Sequence, residues 1–265
     1  MLAIAGSDSS AGAGIQADLK AIEASGGYAA TVVTAVTAQN TRGVRRVDRI
    51  APDAVGAQLD ALFDDLEIAA VKTGMLVGAE TVCVVADVLE VRRPPIVVCD
   101  PVAMSSSGAE LLDETGLDAL RRRIFPLATL ITPNAGEAAR LSGVAVDRVA
   151  DAERAGRVLR DAGARAVLVT GGHLAEAPAT DVLVDASGTT IFAGRFVERP
   201  DTHGTGCVLA SAIATGLARG LALATAIRRA KRLTATAIRR GLSIGSGARL
   251  IDALYRLHGR GTEGR

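Results

Sequence analysis

The chain has 265 residues, 30 basic and 29 acidic, and its formal charge of +1 gives no reason to expect nucleic acid or an anionic membrane as a partner. Hydrophobic residues make up 49% and aromatics 2%, with no Trp, so the core must be built from Ala, Val, Leu and Ile. Nearly every basic residue is Arg; ammonium groups stand only at Lys20, Lys72 and Lys231. Cys83, Cys99 and Cys207 are odd in number and widely spaced, which suits a reducing cytoplasm better than a disulfide framework or a zinc site. Met1 to Gly6 is too short for a signal peptide and no apolar run is long enough to span a membrane, so a soluble cytoplasmic protein is expected.

Leu2 to Ala5 is a short apolar run that stops at Gly6-Ser-Asp-Ser-Ser-Ala-Gly-Ala-Gly14, a loop of turn residues. Ile15 to Ala24 then reads as a helix with Ile15, Leu19 and Ile22 on one face. A strand, a glycine loop and a helix open an α/β fold with a ligand at the strand's C-terminal end, although the loop lacks the dinucleotide spacing. Asp18, one turn into that helix, is either a solvated helix-start carboxylate or a ligand contact. Tyr28 to Thr37 is rich in β-branched residues and predicts a buried strand ending in a turn, Ala38 to Gly43. Gln39 and Asn40 are there either as turn residues or as amides placed to read a heteroaromatic ring. Pro52 to Asp65 has helical spacing with Pro in the first turn.

Further strands are predicted at Ile68 to Gly74, Ile96 to Asp100, Ala128 to Asn134 and Ala166 to His173. Helices are predicted at Glu80 to Val91, Leu112 to Ile124 and Ala150 to Ala162. Asn134 and Glu137 have the spacing of a capping box at the start of the helix reaching Leu141. Thr180 to Phe196 reads as a β-hairpin turning at Ala186-Ser-Gly188, and two helices, Gly204 to Arg219 and Leu223 to Arg240, finish the body. Ala248 to Leu257 is a short amphipathic piece ahead of a Gly/Arg tail. No Pro/Ser-rich linker argues for two domains, so residues 1–257 are expected to form one domain and 258–265 a disordered tail.

The chain is organised around Asp201-Thr-His-Gly-Thr-Gly-Cys207. The first N–H groups of a helix lack internal partners and carry partial positive charge, and Gly204 and Gly206 clear side chains from an approaching phosphate. Cys207 would face that anion, with its pKa lowered by the helix terminus. The plain alternative is a Gly-rich helix start with an inert cysteine. Strand ends recur beside polar or glycine loops near residues 6, 39, 74, 100, 134 and 171, and in a parallel sheet these fall on one edge. Asp100, Asn134 and Glu137 would then collect beside the anion turn, and hard oxygen ligands next to a phosphate cradle suit Mg²⁺ and a nucleotide.

Ala5 to Lys20, Thr34-Ala-Val-Thr-Ala-Gln-Asn-Thr41, Lys72-Thr-Gly-Met-Leu76, Ile131-Thr-Pro-Asn134 with Glu137, and Thr202-His-Gly-Thr-Gly-Cys207 occur in that order. Together they resemble the hydroxymethylpyrimidine/phosphomethylpyrimidine kinases of thiamine biosynthesis, from residue 1 to about 240. The resemblance implies an α/β ribokinase-like three-layer sandwich, its mostly parallel sheet flanked by helices, with a small β-hairpin near 180–196. It implies transfer of phosphate from ATP with Mg²⁺ to the hydroxymethyl group of 4-amino-5-hydroxymethyl-2-methylpyrimidine and then to the monophosphate. It also implies a homodimer, and leaves open a monovalent cation.

Carried over by position, the pyrimidine site is Gly6, Ala13, Asp18, Gln39 and Met75. Gln39 would read ring nitrogens and the amino group, Met75 would pack on the ring, and Asp18 would hold the hydroxyl or ring. Gly204, Thr205 and Gly206 would form the anion hole, and Cys207 stands where many ribokinase-like relatives place an aspartate base. Asn134, Glu137, Thr170, Gly172 and His203 would serve the nucleotide, and Asp100 and Glu137 the metal.

Three stretches depart from the family's pattern and remove positive charge. Val169-Thr-Gly-Gly-His173 replaces Val-Lys-Gly-Gly-His, and Ala103-Met-Ser-Ser-Ser-Gly108 replaces Met-Val-Ala-Lys-Ser-Gly, with Ser106 at the lysine position. Gly245-Ser-Gly-Ala-Arg-Leu250 replaces Gly-His-Gly-His-Gly-Pro, and Arg249 is a candidate to compensate. These changes bear on ATP affinity and the second phosphorylation. The alternatives are a pyridoxal kinase of the same subgroup, which also has Thr at the strand end, and a non-catalytic pyrimidine-binding protein.

Overall fold

Nine strands form one sheet: β1 (Leu2–Asp8), β2 (Ala30–Asn40), β3 (Gly43–Arg49), β4 (Val71–Thr73), β5 (Val97–Cys99), β6 (Leu130–Ile131), β7 (Val167–Val169), β8 (Asp181–Asp185) and β9 (Gly188–Phe192). In this computed structural model the described residues are 1–105, 108–172, 174, 176–194, 196–197 and 202–258. The strand order is β3-β2-β1-β4-β5-β6-β7-β8-β9. The six strands from β2 to β7 in that order are mutually parallel; β3 pairs antiparallel with β2 at one edge, and at the other β8 pairs antiparallel with β7 and β9 antiparallel with β8.

Pleating sends successive residues to opposite faces, and both faces are covered, as a parallel sheet requires. Val97, Cys99, Ile131, Val167 and Val169 pack on α2 (Pro52–Asp65), α3 (Ala79–Arg92), α4 (Glu114–Ala119), α5 (Ala135–Ser142) and α6 (Val149–Asp161). Val98, Leu130 and Leu168 face the other way, onto α7 (Thr205–Ala218) and α8 (Leu223–Arg239). Ala17 and Ala21 of α1 (Gly14–Ala24) join that second layer against Val208 and Ala237. The result is the expected α/β three-layer sandwich.

Several boundaries differ from the sequence reading. The strand expected to stop at Thr37 runs on to Asn40, and Thr41 and Arg42 turn it into β3, for which the sequence predicted no element. That strand is mostly exposed and rich in Arg, so it carries no buried alternation to betray it. The expected hairpin is present, but it extends the main sheet by pairing β8 with β7. The helix expected from Leu112 begins at Glu114, where Asp113 accepts the Gly116 N–H at 2.8 Å, and it loosens into a π turn over Leu120–Ile124. In the segment expected to be amphipathic, Arg249–Leu250 forms β11 beside β10 (Thr202–His203). The tail expected at 258–265 lies outside the described residues except for His258, whose ring is 2.8 Å from Asp252.

Candidate active site

The anion turn is built as its glycines imply. Gly204 is the N-cap of α7 at φ 91°, a conformation that favours glycine, and a Cβ there would stand 1.9 Å from Gly12 O. That closeness brings the loop after β1 onto the turn. Val208 N–H to Gly204 O, at 3.1 Å, begins the helical ladder, so the amides of Thr205, Gly206 and Cys207 precede the first internal bond. A Cβ on Gly206 would sit 3.7 Å from Asp100 Oδ2, which places the carboxylate at the end of β5 against these amides. Asp100 Oδ1 accepts from Thr132 Oγ1 at 3.1 Å, whereas Oδ2 is buried without a hydrogen-bond partner.

Beneath the turn is a charge cluster that the sequence did not announce. Lys72 on β4 is next to Val71, which faces the α2–α6 layer, so the pleat aims Lys72 at α1 and α7. Its Nζ is 2.8 Å from Asp18 Oδ1 and 3.8 Å from Asp100 Oδ2. Ser211 of α7 donates to the same Asp18 oxygen at 2.8 Å. Asp18 is fully buried, so it is neither a solvated helix-start carboxylate nor open to a ligand in this structure; it is the ion-pair partner of Lys72. Burial pulls the Lys72 ammonium down, but Asp18, Cys207 and Asp100 outweigh it and hold the group above its ordinary value.

Cys207 is half-buried beside this cluster. Burial pushes its thiol up to about 12; Lys72 and the Gly14 amide oppose the rise, while Asp18 and Asp100 add to it. The lowering expected from the helix terminus is therefore corrected: desolvation beside two carboxylates outweighs the dipole.

Asn134 and Glu137 form the expected capping box, with Glu137 N donating to Asn134 Oδ1 and Asn134 N to Glu137 Oε2, both at 2.9 Å. Glu137 Oε1 also accepts from Ala103 N at 3.4 Å, tying the loop after β5 to α5. Burial, reinforced by Asp100, pushes the Glu137 carboxyl up to about 8. Among the described residues no three His, Cys, Asp or Glu side chains gather as a self-sufficient metal site.

Asn134, Thr170, Gly172, Thr205, Gly206, His203 and Gln39 line one open cleft of about 2030 Å³. That volume exceeds the roughly 300–1,000 Å³ of an ordinary small-molecule pocket and leaves room for two ligands. Lys231 of α8, which the sequence reading passed over, also lines it. Its Nζ is 2.6 Å from Asp181 Oδ2 and 3.0 Å from Ala179 O, while Asp181 Oδ1 accepts the Gly171 N–H at 3.1 Å. An ammonium thus stands beside the strand end where Thr170 replaces the family's lysine. Lys231 and Asp181 are far apart in sequence, and no local pattern joins them.

Arg249 is engaged elsewhere, donating through Nη2 to Gly241 O. Ser106 and His173 lie outside the described residues. Met75 is buried with its methyl over Gly6, where a Cβ would come within 2.2 Å of Cε. Ala13 donates its N–H to Asp8 at 2.8 Å, and His203 meets Gln39 at 2.6 Å.

A mostly parallel sandwich, an anion turn at a helix N-terminus and a carboxylate facing that turn define a ribokinase-like phosphotransferase. The sequence profile of the family described as Phosphomethylpyrimidine kinase matches residues 8–252, and the chain belongs to that family. It is 45% identical over 252 residues to the Hydroxymethylpyrimidine/phosphomethylpyrimidine kinase of Streptomyces coelicolor, covering 95% of this chain and 93% of that one. It is 47% identical over 247 residues to the Thiamine biosynthesis bifunctional protein ThiED of Geobacter sulfurreducens, covering 93% of this chain but only 50% of that protein. Among solved structures, an ADP complex of Bacillus subtilis pyridoxal kinase has a TM-score of 0.89 at 36% identity, over 95% of this chain and 96% of that one.

Proposed function

We propose that the chain phosphorylates the hydroxymethyl group of 4-amino-5-hydroxymethyl-2-methylpyrimidine with ATP, and then the monophosphate to the diphosphate, in thiamine biosynthesis. The observation that carries this reading is Asp100 Oδ2, buried without a hydrogen-bond partner, 3.8 Å from the Lys72 ammonium and close to Gly206. Bare amides attract an anion and a carboxylate oxygen with no hydrogen bond of its own attracts a cation, so the two together fit a phosphate that arrives with a divalent ion. Mg²⁺ takes one or two carboxylates and completes its shell with phosphate oxygens and water, which matches Asp100 with Glu137 behind it. When bound, the ion neutralises charge on the phosphates.

The remaining roles fall to the chain itself. The amides of Thr205, Gly206 and Cys207 stabilise charge on the phosphoryl group in flight. Lys231, which lines the same cleft, supplies positive charge near the nucleotide phosphates. Cys207, carrying its proton at neutral pH, positions the alcohol; a loose transfer asks for proton removal only late and needs little base strength. The family resemblance also implies a homodimer, which sedimentation of the purified chain tests, and the scarce, widely spaced cysteines fit a cytoplasmic location.

The test is ADP release from ATP and Mg²⁺ with the hydroxymethylpyrimidine, products being resolved by mass. Monophosphate followed by diphosphate is the expected result. Pyridoxal phosphorylation is the second reading, favoured by the close superposition on a pyridoxal kinase, and faster turnover of pyridoxal under the same conditions would put it first. Tight pyrimidine binding without any phosphorylated product would leave only a binding protein.

A further inference from the structure

Asp8, His203 and Gln39 meet where β1, β10 and β2 converge beside the cleft. Asp8 Oδ1 accepts from Ser10 N at 2.8 Å and Ser10 Oγ at 2.7 Å, and Oδ2 accepts from Gly12 N at 3.0 Å and Ala13 N at 2.8 Å. A carboxylate is an acceptor-only group, and four donors converge on this one. Burial works to raise its pKa, but the bonds from His203, Ser10 and Ala13 prevail and hold it below the ordinary value. His203 Nε2 stands 3.2 Å from Asp8 Oδ2, and at that distance an ionised oxygen requires an N–H, so Nε2 carries a proton.

That proton fixes the neighbouring amide. Gln39 Nε2 lies 2.6 Å from His203 Nε2, and Gln39 Oε1 lies 3.3 Å from Thr37 Oγ1. A half-turn about the last side-chain bond exchanges the two amide atoms without changing shape, and hydrogen bonding decides between them. Two N–H donors cannot face each other at His203, so the oxygen belongs there. Thr37 gives the same answer independently. Its single hydroxyl proton goes to Ser7 O at 2.9 Å, so the amide atom beside Thr37 must donate, and it is the nitrogen.

We propose that Asp8 and His203 act as a polarity lock on Gln39, turning its oxygen toward His203 and its nitrogen toward Thr37. The lone pair and N–H that remain then select a ring edge on which an amino donor adjoins a ring-nitrogen acceptor. The inference rests on the aminopyrimidine reading, since such an edge is what a 4-aminopyrimidine presents. A 4-oxo pyrimidine of the same shape presents the reverse, an acceptor beside a ring N–H, and meets like groups at both positions. Asp8 and His203 are positioning residues here; Gln39 makes the contact.

The experiment is calorimetric binding, without turnover, of 4-amino-5-hydroxymethyl-2-methylpyrimidine and its 4-oxo counterpart. Wild type is expected to prefer the amino compound by about 100-fold, because the mismatch leaves buried polar groups unpaired. In His203→Phe the amide is free to turn, and the preference is expected to shrink to about tenfold or less. Thr37→Val removes the opposite anchor without touching Asp8 and is expected to narrow the ratio in the same way, which covers the case in which His203→Phe fails to fold. A folded His203→Phe or Thr37→Val protein that keeps the full wild-type ratio overturns the lock. Wild-type binding of both compounds equally also overturns it while leaving the kinase reading intact. Wild-type binding of neither compound overturns the pyrimidine reading and the lock together.

Discussion

Lys72 Nζ stands 2.8 Å from Asp18 Oδ1, and both side chains are wholly shielded from solvent at 0% exposure. A buried pair of this kind is weak evidence of added stability, but removing one partner strands the other charge. Lys72→Met is therefore expected to destabilise the fold by about 3 kcal/mol or more. Lys72→Met combined with Asp18→Leu is expected to recover most of that loss, since two apolar groups replace two charges. Urea titrations of the single and double variants measure this. A single variant as stable as wild type would mean that water or a neighbouring group compensates Asp18 in a way the hydrogen bonds do not show.

The same pair marks where reading the sequence ran out. Periodicity placed most helices to within two residues, and the strand ends pointed to one ligand-binding edge, because burial of apolar stripes is a local signal. The capping box at Asn134 and Glu137 was legible for the same reason, being a four-residue pattern. Lys72 gave no such signal. Its role depends on the pleat aiming it at Asp18 and Ser211, residues on two helices that meet only in the fold. Gly204 and Gly206 announced an anion turn, and the strand ends placed Asp100 beside it, but neither signalled the burial that raises the Cys207 thiol. Desolvation is a property of the surroundings, and no spacing encodes it.

Glu137 makes the apo protein's stability depend on pH. Burial and Asp100 push its carboxyl from the ordinary 4.5 up to about 8. Between those values the folded protein keeps a proton that the unfolded chain has released, so rising pH favours unfolding. The contribution is fully present below 4.5 and is lost as pH climbs through about 8. Asp18 and Asp100 are raised by burial as well and tilt the curve the same way. The melting temperature of the ligand-free protein is expected to fall from pH 5 to pH 8, and Glu137→Gln to flatten the slope. A wild-type curve that is level or rising over that interval would contradict the assignment.

Lys231 is the ammonium proposed to make up for the lysine missing at Thr170. Asp181 and Ala179 O hold it in the cleft wall beside the end of β7, where it can meet phosphate oxygens. Lys231→Met is expected to raise KM for ATP and lower kcat, each by about tenfold, because phosphate charge loses a counter-ion both at rest and in transfer. Adding Thr170→Lys to that variant is expected to recover part of both. KM for the pyrimidine should stay near wild type in the two proteins. Steady-state kinetics with each substrate varied in turn makes the comparison, and a change confined to the pyrimidine would move Lys231 out of the nucleotide site.

Cys207 is half-buried and holds its proton tightly. With the thiol pushed up to about 12, thiolate is scarce at neutral pH, so alkylation by iodoacetamide should be slow at pH 7 and still be climbing at pH 10. Positioning of the alcohol does not need the thiolate, and Cys207→Ala is expected to lower kcat by about 100-fold while KM for ATP moves less than about threefold. Cys207→Ser, which keeps a short hydrogen-bonding group, should lie between the two. The pH profile separates positioning from base catalysis. A limb in kcat/KM between pH 7 and 9 that disappears in Cys207→Ser would show that the thiolate is formed as the working base, its proton drawn off by the bound substrates. A profile without such a limb, together with an intermediate serine variant, leaves Cys207 as the group that holds the alcohol in line with the phosphate.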